Sequence, residues 1–310
     1  MLKYIRIDRK GRNKMTLKLK IITGIVTIVI ILVSLTVSYF LLVDIESKEP
    51  KQIEDTCQVE IHEFIGRKVF VIKPKDGEKN EKKILYFHGG SYVAEASKDH
   101  WKFIEKIVTD TGSTLIFPDY PLTPKYTYKD VFKMVKPLYK EILEEVAPEN
   151  LILMGDSAGG GLSLALIEEI SKENYAIPSK TLLISPWLDV RLTNPKIDEV
   201  APNDKDLNKE ALKIAGVAYA GGEENTGNYL VSPVEGDLSK LKNITIFTGT
   251  YDILNPDVYV LQEKAKEQGV DIEVKEYEKA GHIWIITKKG DSNIIEKGYN
   301  DLLEKIKEDN

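Results

Sequence analysis

An α/β fold with a mostly parallel central sheet and helices on both faces is predicted by three observations. Short apolar runs at Ile84 to Phe87, Leu151 to Met154, Thr181 to Ile184 and Ile244 to Thr248 have the composition of strands buried on both faces. The stretches between them carry apolar residues at helical spacing, and strands alternating with helices build a parallel sheet. Residues 151–161, LILMGDSAGGG, join one such strand to a helix through a tight glycine-rich turn with Ser157 at its apex.

The chain has 310 residues and a formal charge of −6, unevenly spread. Lys3, Arg6, Arg9, Lys10, Arg12, Lys14, Lys18 and Lys20 face only Asp8, so residues 1–20 carry about +7 and the remainder about −13. An acidic body argues against nucleic acid as a partner. Ile21 to Val43 is uncharged and dominated by Ile, Val and Leu. As a helix these 23 residues span about 34 Å, enough for a hydrocarbon core of about 30 Å. Ser38-Tyr39-Phe40-Leu41-Leu42 is a poor cleavage site. A single-pass, uncleaved anchor in the cell membrane is therefore expected, with its basic flank cytoplasmic and the body on the extracytoplasmic side. Residues 44–57 are polar, contain Pro50 and read as a linker to the body at 58–310. Cys57 is the single cysteine, which leaves a free thiol and no intrachain disulfide.

Within the body, Gln58 to Phe64 and Lys68 to Lys73 form two strands turning at Gly66, and Lys75 to Lys83 forms a charged loop. Ile84 to Phe87 is a buried strand running into His88-Gly89-Gly90. Ser97 caps a helix with Trp101, Ile104 and Val108 on one face, closed by Gly112. Thr114 to Phe117 is the next strand. Thr127-x-x-Asp130 opens a helix with Val131, Val135, Leu138 and Ile142 inward, which Pro137 should bend or interrupt. The strand at Leu151 precedes a helix from Ala158 to about Ile170, and Thr181 to Ile184, Ile244 to Thr248 and Ile272 to Tyr277 complete the sheet. Between Leu192 and Asn228 the alternation lapses around one amphipathic helix, about Lys209 to Tyr219. That insertion is either a solvated excursion or a cover over a site.

Gly155-Asp156-Ser157-Ala158-Gly159 fits G-x-S-x-G, a turn that lifts a serine hydroxyl above the sheet and next to free helix N–H groups. With His88-Gly89-Gly90-Ser91 upstream, Asp119-Tyr120-Pro121-Leu122-Thr123-Pro124-Lys125 between, and Ser185-Pro186-Trp187, Val231-Ser232-Pro233 and Gly281-His282 downstream, the chain resembles the α/β-hydrolase superfamily. Within it, the chain is similar to the hormone-sensitive-lipase-like esterases, whose hallmarks are H-G-G-G and G-D-S-A-G-G. The likeness runs from roughly Ile61 to the C-terminus. Three departures from the pattern stand out: Ser91 for a glycine, Pro121 for an arginine, and Asn255-Pro256 for charged residues. The resemblance implies a hydrolase fold with a cap insertion at about 192–228.

It also implies a site. Ser157 requires a base, and the base a carboxylate to hold its tautomer. Of four histidines, His62 lies in the first strand pair, His88 in the glycine loop and His100 in the first turn of a helix. His282, past the last strand, remains as base. The order Ser, Asp, His then selects Asp252 after the strand at Ile244. Asp257 is the weaker candidate, expected to stabilise a helix start behind Asn255-Pro256. N–H groups of Gly89, Gly90 and Ala158 are expected to form the oxyanion hole. No metal-ligand cluster, phosphate loop or dinucleotide motif competes, so no cofactor is expected. The expected activity is a membrane-anchored serine carboxylesterase acting on small esters with short acyl chains, since no long lipid-binding insertion is evident. The alternatives are an amidase or deacetylase, or a catalytically silent binding module of the same fold.

Overall fold

The computed structural model describes residues 22, 25–27, 44–48 and 50–308. The chain divides into two units, 1–44 and 45–310. In the first, residues 22 and 25–27 are helical, and Ile22, Ile25 and Val26 are exposed. The rest of the expected anchor, like the basic segment before it, lies outside the described residues. Among the described residues no helix is long and apolar enough to cross a membrane.

The second unit carries the sheet, which has eight strands among the described residues. They are β1 (Cys57–Phe64), β2 (Arg67–Pro74), β3 (Lys83–Phe87), β4 (Thr114–Pro118), β5 (Leu151–Asp156), β6 (Lys180–Ile184), β7 (Ile244–Gly249) and β8 (Ile272–Tyr277). Their spatial order is β1-β2-β4-β3-β5-β6-β7-β8. The β1–β2 and β2–β4 pairs are antiparallel and every later pair is parallel. The C-terminal ends of β3, β5, β7 and β8 therefore open on one end of the sheet, where ligands of open α/β folds bind.

Side chains alternate across the pleat into two cores. Leu85, Phe87, Leu153 and Leu183 face a layer built from α2 (Tyr128–Glu145), α3 (Ser157–Lys172) and α6 (Asn255–Glu267). Tyr86, Met154, Leu182 and Phe247 face α1 (Lys98–Thr111), α7 (Trp284–Thr287) and α8 (Ser292–Lys307). Ser97 accepts the His100 N–H at the start of α1, and Gly112 ends the helix in the left-handed region, φ 72°. Of the bend or interruption expected at Pro137, the interruption does not occur: α2 runs unbroken past it. The buried row Val131, Val135, Leu138 and Ile142 offsets a proline cost of about 3 kcal/mol, because each such side chain contributes about 1.5–3 kcal/mol when buried.

The expected linker is not a loose tether where it is described. Ile53 is fully buried, and Ser47 donates its N–H to Asp119 Oδ1 at 2.8 Å. Arg67 donates to Ile45 O at 3.1 Å and to Asp119 Oδ2 at 2.9 Å. The cause is Asp119, a buried carboxylate that must collect donors. Residues 192–228 hold α4 (Lys196–Val200) and α5 (Lys209–Ala220). Leu192, Ile197, Leu212 and Tyr219 from this insertion are buried in the α2/α3/α6 core, so it is an integral part of the body and not a solvated excursion.

Candidate active site

The turn between β5 and α3 holds Ser157 at φ 51°, in the left-handed region that a serine rarely adopts. The strain is enforced by packing. A side chain at Gly159 would collide with the Phe87 and His88 carbonyls, and one at Gly155 with the Gly159 carbonyl. Only glycine at both positions lets the strand, the turn and the helix close on one another.

Ser157 Oγ lies 2.9 Å from His282 Nε2, and His282 Nδ1 lies 2.9 Å from Asp252 Oδ2. Asp252 is fully buried, and its Oδ1 accepts the Leu254 N–H at 2.9 Å. A carboxylate on Nδ1 fixes the tautomer with the proton there, leaving Nε2 free to accept the serine hydroxyl. Burial alone would lower the His282 pKa. Asp252 in contact, with Asp204 and Asp156 farther off, outweighs burial and holds the imidazole above its ordinary 6.5. The arrangement is that of a hydroxyl nucleophile with a base and an orienting acid.

Asp257 stands apart from this chain of hydrogen bonds. It is 4% exposed. Its Oδ1 accepts from Asn194 at 2.9 Å and its Oδ2 has no partner. Burial pushes its carboxyl up to about 6, so the expectation that its charge stabilises the start of α6 is reversed.

The oxyanion loop also departs from expectation. The Gly89 N–H is engaged, donating to Asp156 Oδ1 at 3.0 Å. Among the described residues the N–H groups of Gly90, at φ 117°, and Ala158, in the first turn of α3, make no such bond, and N–H groups in a first turn have no acceptor within the helix. Of the three expected donors, Gly90 and Ala158 remain available.

Asp156 is the residue that sequence reasoning passed over. Fully buried, it accepts from Tyr86 Oη at 2.5 Å as well as from Gly89, and its Oδ2 meets His100 Nε2 at 3.2 Å. His100 Nδ1 accepts the Ser97 N–H at 3.1 Å, which puts its proton on Nε2 and aims it at Asp156. Burial raises the Asp156 carboxyl, but the donors from His100 and Tyr86 outweigh it and the group sits below its usual range. One carboxylate thus ties β3, α1 and the glycine loop to the residue before Ser157. The sequence carried two signals, the aspartate of G-D-S-A-G-G and Ser97 as the cap three residues before His100, and neither says that the two side chains meet. His88 stacks on Tyr120 at 4.6 Å between centroids and donates from Nδ1 to Gly89 O at 2.6 Å. Burial, aided by His100, draws its pKa down to about 4. It is a neutral brace for the loop. His62 is solvent-exposed on the edge strand.

The insertion reaches this site. Tyr219 of α5 stacks on Tyr92 with centroids 3.6 Å apart, and Tyr92 stacks on Trp187 at 5.8 Å. Trp187 N–H donates to Ser157 O at 2.8 Å. Among the described residues no cluster of histidine, cysteine and carboxylate groups is arranged to hold a metal ion.

Comparison with known proteins places this geometry in a family. A family described as having an alpha/beta hydrolase fold matches residues 84–286. An esterase of Acinetobacter venetianus is 29% identical over 63% of this chain and 64% of its own length. An acetyl-hydrolase of Streptomyces hygroscopicus is 27% identical over 65% of this chain and 67% of its own. The chain thus spans just under two thirds of the first relative. The crystal structure of an esterase from the bacterial hormone-sensitive lipase family superposes with a TM-score of 0.75 at 25% identity, covering 84% of this chain and 89% of that one.

Proposed function

We propose that this chain, which belongs to the α/β-hydrolase fold family in its hormone-sensitive-lipase-like branch and is a serine hydrolase, cleaves small carboxylic esters with short acyl chains through a Ser157 acyl-enzyme. The observation that carries this reading is the unbroken hydrogen-bond chain from Asp252 through His282 to Ser157.

Ser157 Oγ attacks the ester carbonyl carbon as its proton passes to His282 Nε2. The imidazolium so formed is held by Asp252 through Nδ1–H. Negative charge gathers on the carbonyl oxygen, where the N–H groups of Gly90 and Ala158 receive it; one such donor is worth about 3–4 kcal/mol of barrier. Collapse expels the alcohol with the proton from His282. Water then repeats the sequence on the acyl-enzyme, losing its proton to His282 and releasing the carboxylic acid and Ser157.

The name of the first relative, esterase, supports ester cleavage, and that of the second, acetyl-hydrolase, supports a short acyl group. The proposal includes a membrane anchor at residues 21–43, supported by the uncharged apolar run and its basic flank.

A series of p-nitrophenyl esters set against the matching anilides tests the chemistry. Rates should fall as the acyl chain lengthens and be far lower on anilides. A rate rising steadily toward long chains refutes the acyl preference. Absence of fluorophosphonate labelling at Ser157 in the folded protein refutes the enzyme reading, leaving a silent module. Protease added to intact cells should remove the body; its protection until lysis reverses the orientation.

A further inference from the structure

Asp204 belongs to the insertion, far in sequence from both catalytic loops, yet its carboxylate is built into one of them. Its Oδ2 accepts the Ile253 N–H at 2.9 Å, next to Asp252. Ile253 is 1% exposed. The other N–H groups around Asp252 are satisfied within the catalytic end itself: Tyr251 N–H by Ala280 O, Asp252 N–H by Gly249 O, Leu254 N–H by Asp252 Oδ1 and Asn255 N–H by Asp252 O. Ile253 alone relies on the insertion, and a buried N–H must have a partner. Asp204 Oδ1 is itself fixed by the N–H groups of Asp206 and Leu207 at 2.8 and 2.9 Å. Two residues on, Asp206 pairs with Lys289, beyond the His282 loop, and lies against Gly281. The segment around Asp204 thus grips the acid loop on one side and the base loop on the other.

We propose that Asp204 is a positioning residue for the reaction: the insertion delivers a second carboxylate that locks the Asp252 loop and supports the positive charge His282 acquires at the transition state. This rests on the esterase reading above. Charged and titratable groups face His282 from each surrounding element: Asp252 from the loop after β7, Asp156 from the end of β5, Asp204 from the insertion, and the Asp206–Lys289 pair beyond the base loop, with His100 and His88 behind Asp156. The lysine is neutralised by Asp206, so the field at the imidazole is that of three carboxylates, only one of them in contact. Asp204 also raises the His282 pKa. Its removal should make the base weaker as well as less well held.

The test is the pH profile of kcat/KM on p-nitrophenyl acetate, whose acid limb reports the base of the free enzyme. Asp204→Asn removes the charge and leaves a single acceptor oxygen, which can serve either the Ile253 N–H or those of Asp206 and Leu207, so it weakens the grip as well as the field. Its acid limb should move to lower pH by about half to one pH unit, with the plateau lowered about three- to tenfold. Asp204→Glu keeps the charge and should keep the limb at its wild-type position. An Asp204→Asn profile superimposable on wild type overturns the proposal, as does an Asp204→Glu limb displaced as far as that of Asp204→Asn. If wild type itself hydrolyses no ester, it is the esterase reading that fails.

Discussion

Asp257→Asn separates the two aspartates of the acid region and has a magnitude that follows from burial. In the unfolded chain the Asp257 carboxyl loses its proton near its ordinary 3.8, and in the folded chain near 6. Between those values the folded state binds more protons. Stability therefore falls as pH rises from 3.8 to about 6 and stays reduced above it. At 1.36 kcal/mol per pH unit the full penalty is about 3 kcal/mol near pH 8 and about 1 kcal/mol near pH 4.5. Asparagine cannot ionise and escapes both. Its amide retains an acceptor for Asn194, but its NH₂ inherits the place of Oδ2, which has no partner, at a cost of about 1 kcal/mol or more. That cost is the same at either pH. The change in stability on substitution should thus be more favourable by about 2 kcal/mol near pH 8 than near pH 4.5. Urea unfolding of the full chain, followed by tryptophan fluorescence at the two pH values, measures it. Equal effects at both would refute the argument, as would a substitution that destabilises more near pH 8.

Three further outcomes are expected. Asp252→Asn should retain the fold by circular dichroism but favour the wrong His282 tautomer, lowering kcat by up to about 10⁴, the factor known for the same change in a serine protease; near-wild-type turnover by this variant would sink the assignment of the acid. Because His282 sits above its ordinary 6.5 and only the neutral imidazole accepts the serine proton, kcat/KM should fall as pH drops through a midpoint above 6.5; a midpoint below it contradicts the electrostatics of the site. Tyr86→Phe removes the 2.5 Å donor to a fully buried carboxylate and should lower stability by about 1.5–3 kcal/mol, read from the shift in the urea midpoint; no shift would show that Asp156 does not depend on it.

Residues on the fold's regular elements were legible in the sequence because local physics specifies them. An apolar run such as Leu151 to Met154 has one sensible environment, Ser97 and Gly112 mark the two ends of a helix by their own chemistry, and the glycines around Ser157 admit a turn that other residues would block. Chain order and position past strand ends singled out Ser157, Asp252 and His282, and the fold brings the serine and the aspartate each within hydrogen-bond distance of the histidine. Pro137 shows where local rules end, since the buried face of its helix outweighs the propensity of one residue. What only the tertiary structure decided is the partner of each polar group. Whether Asp257 is exposed at a helix start or buried with one oxygen unpaired is a matter of what packs over it, and here Asn194 comes from an insertion 63 residues away. The Gly89 N–H turns to Asp156, and the far side of the His100 ring finds that same carboxylate across 56 residues of chain. Hydrophobic periodicity is a property of neighbours in sequence, and so can be read from it. The charge state of a carboxylate depends on desolvation and on donors delivered from distant segments, and it exists only once the chain has closed around it.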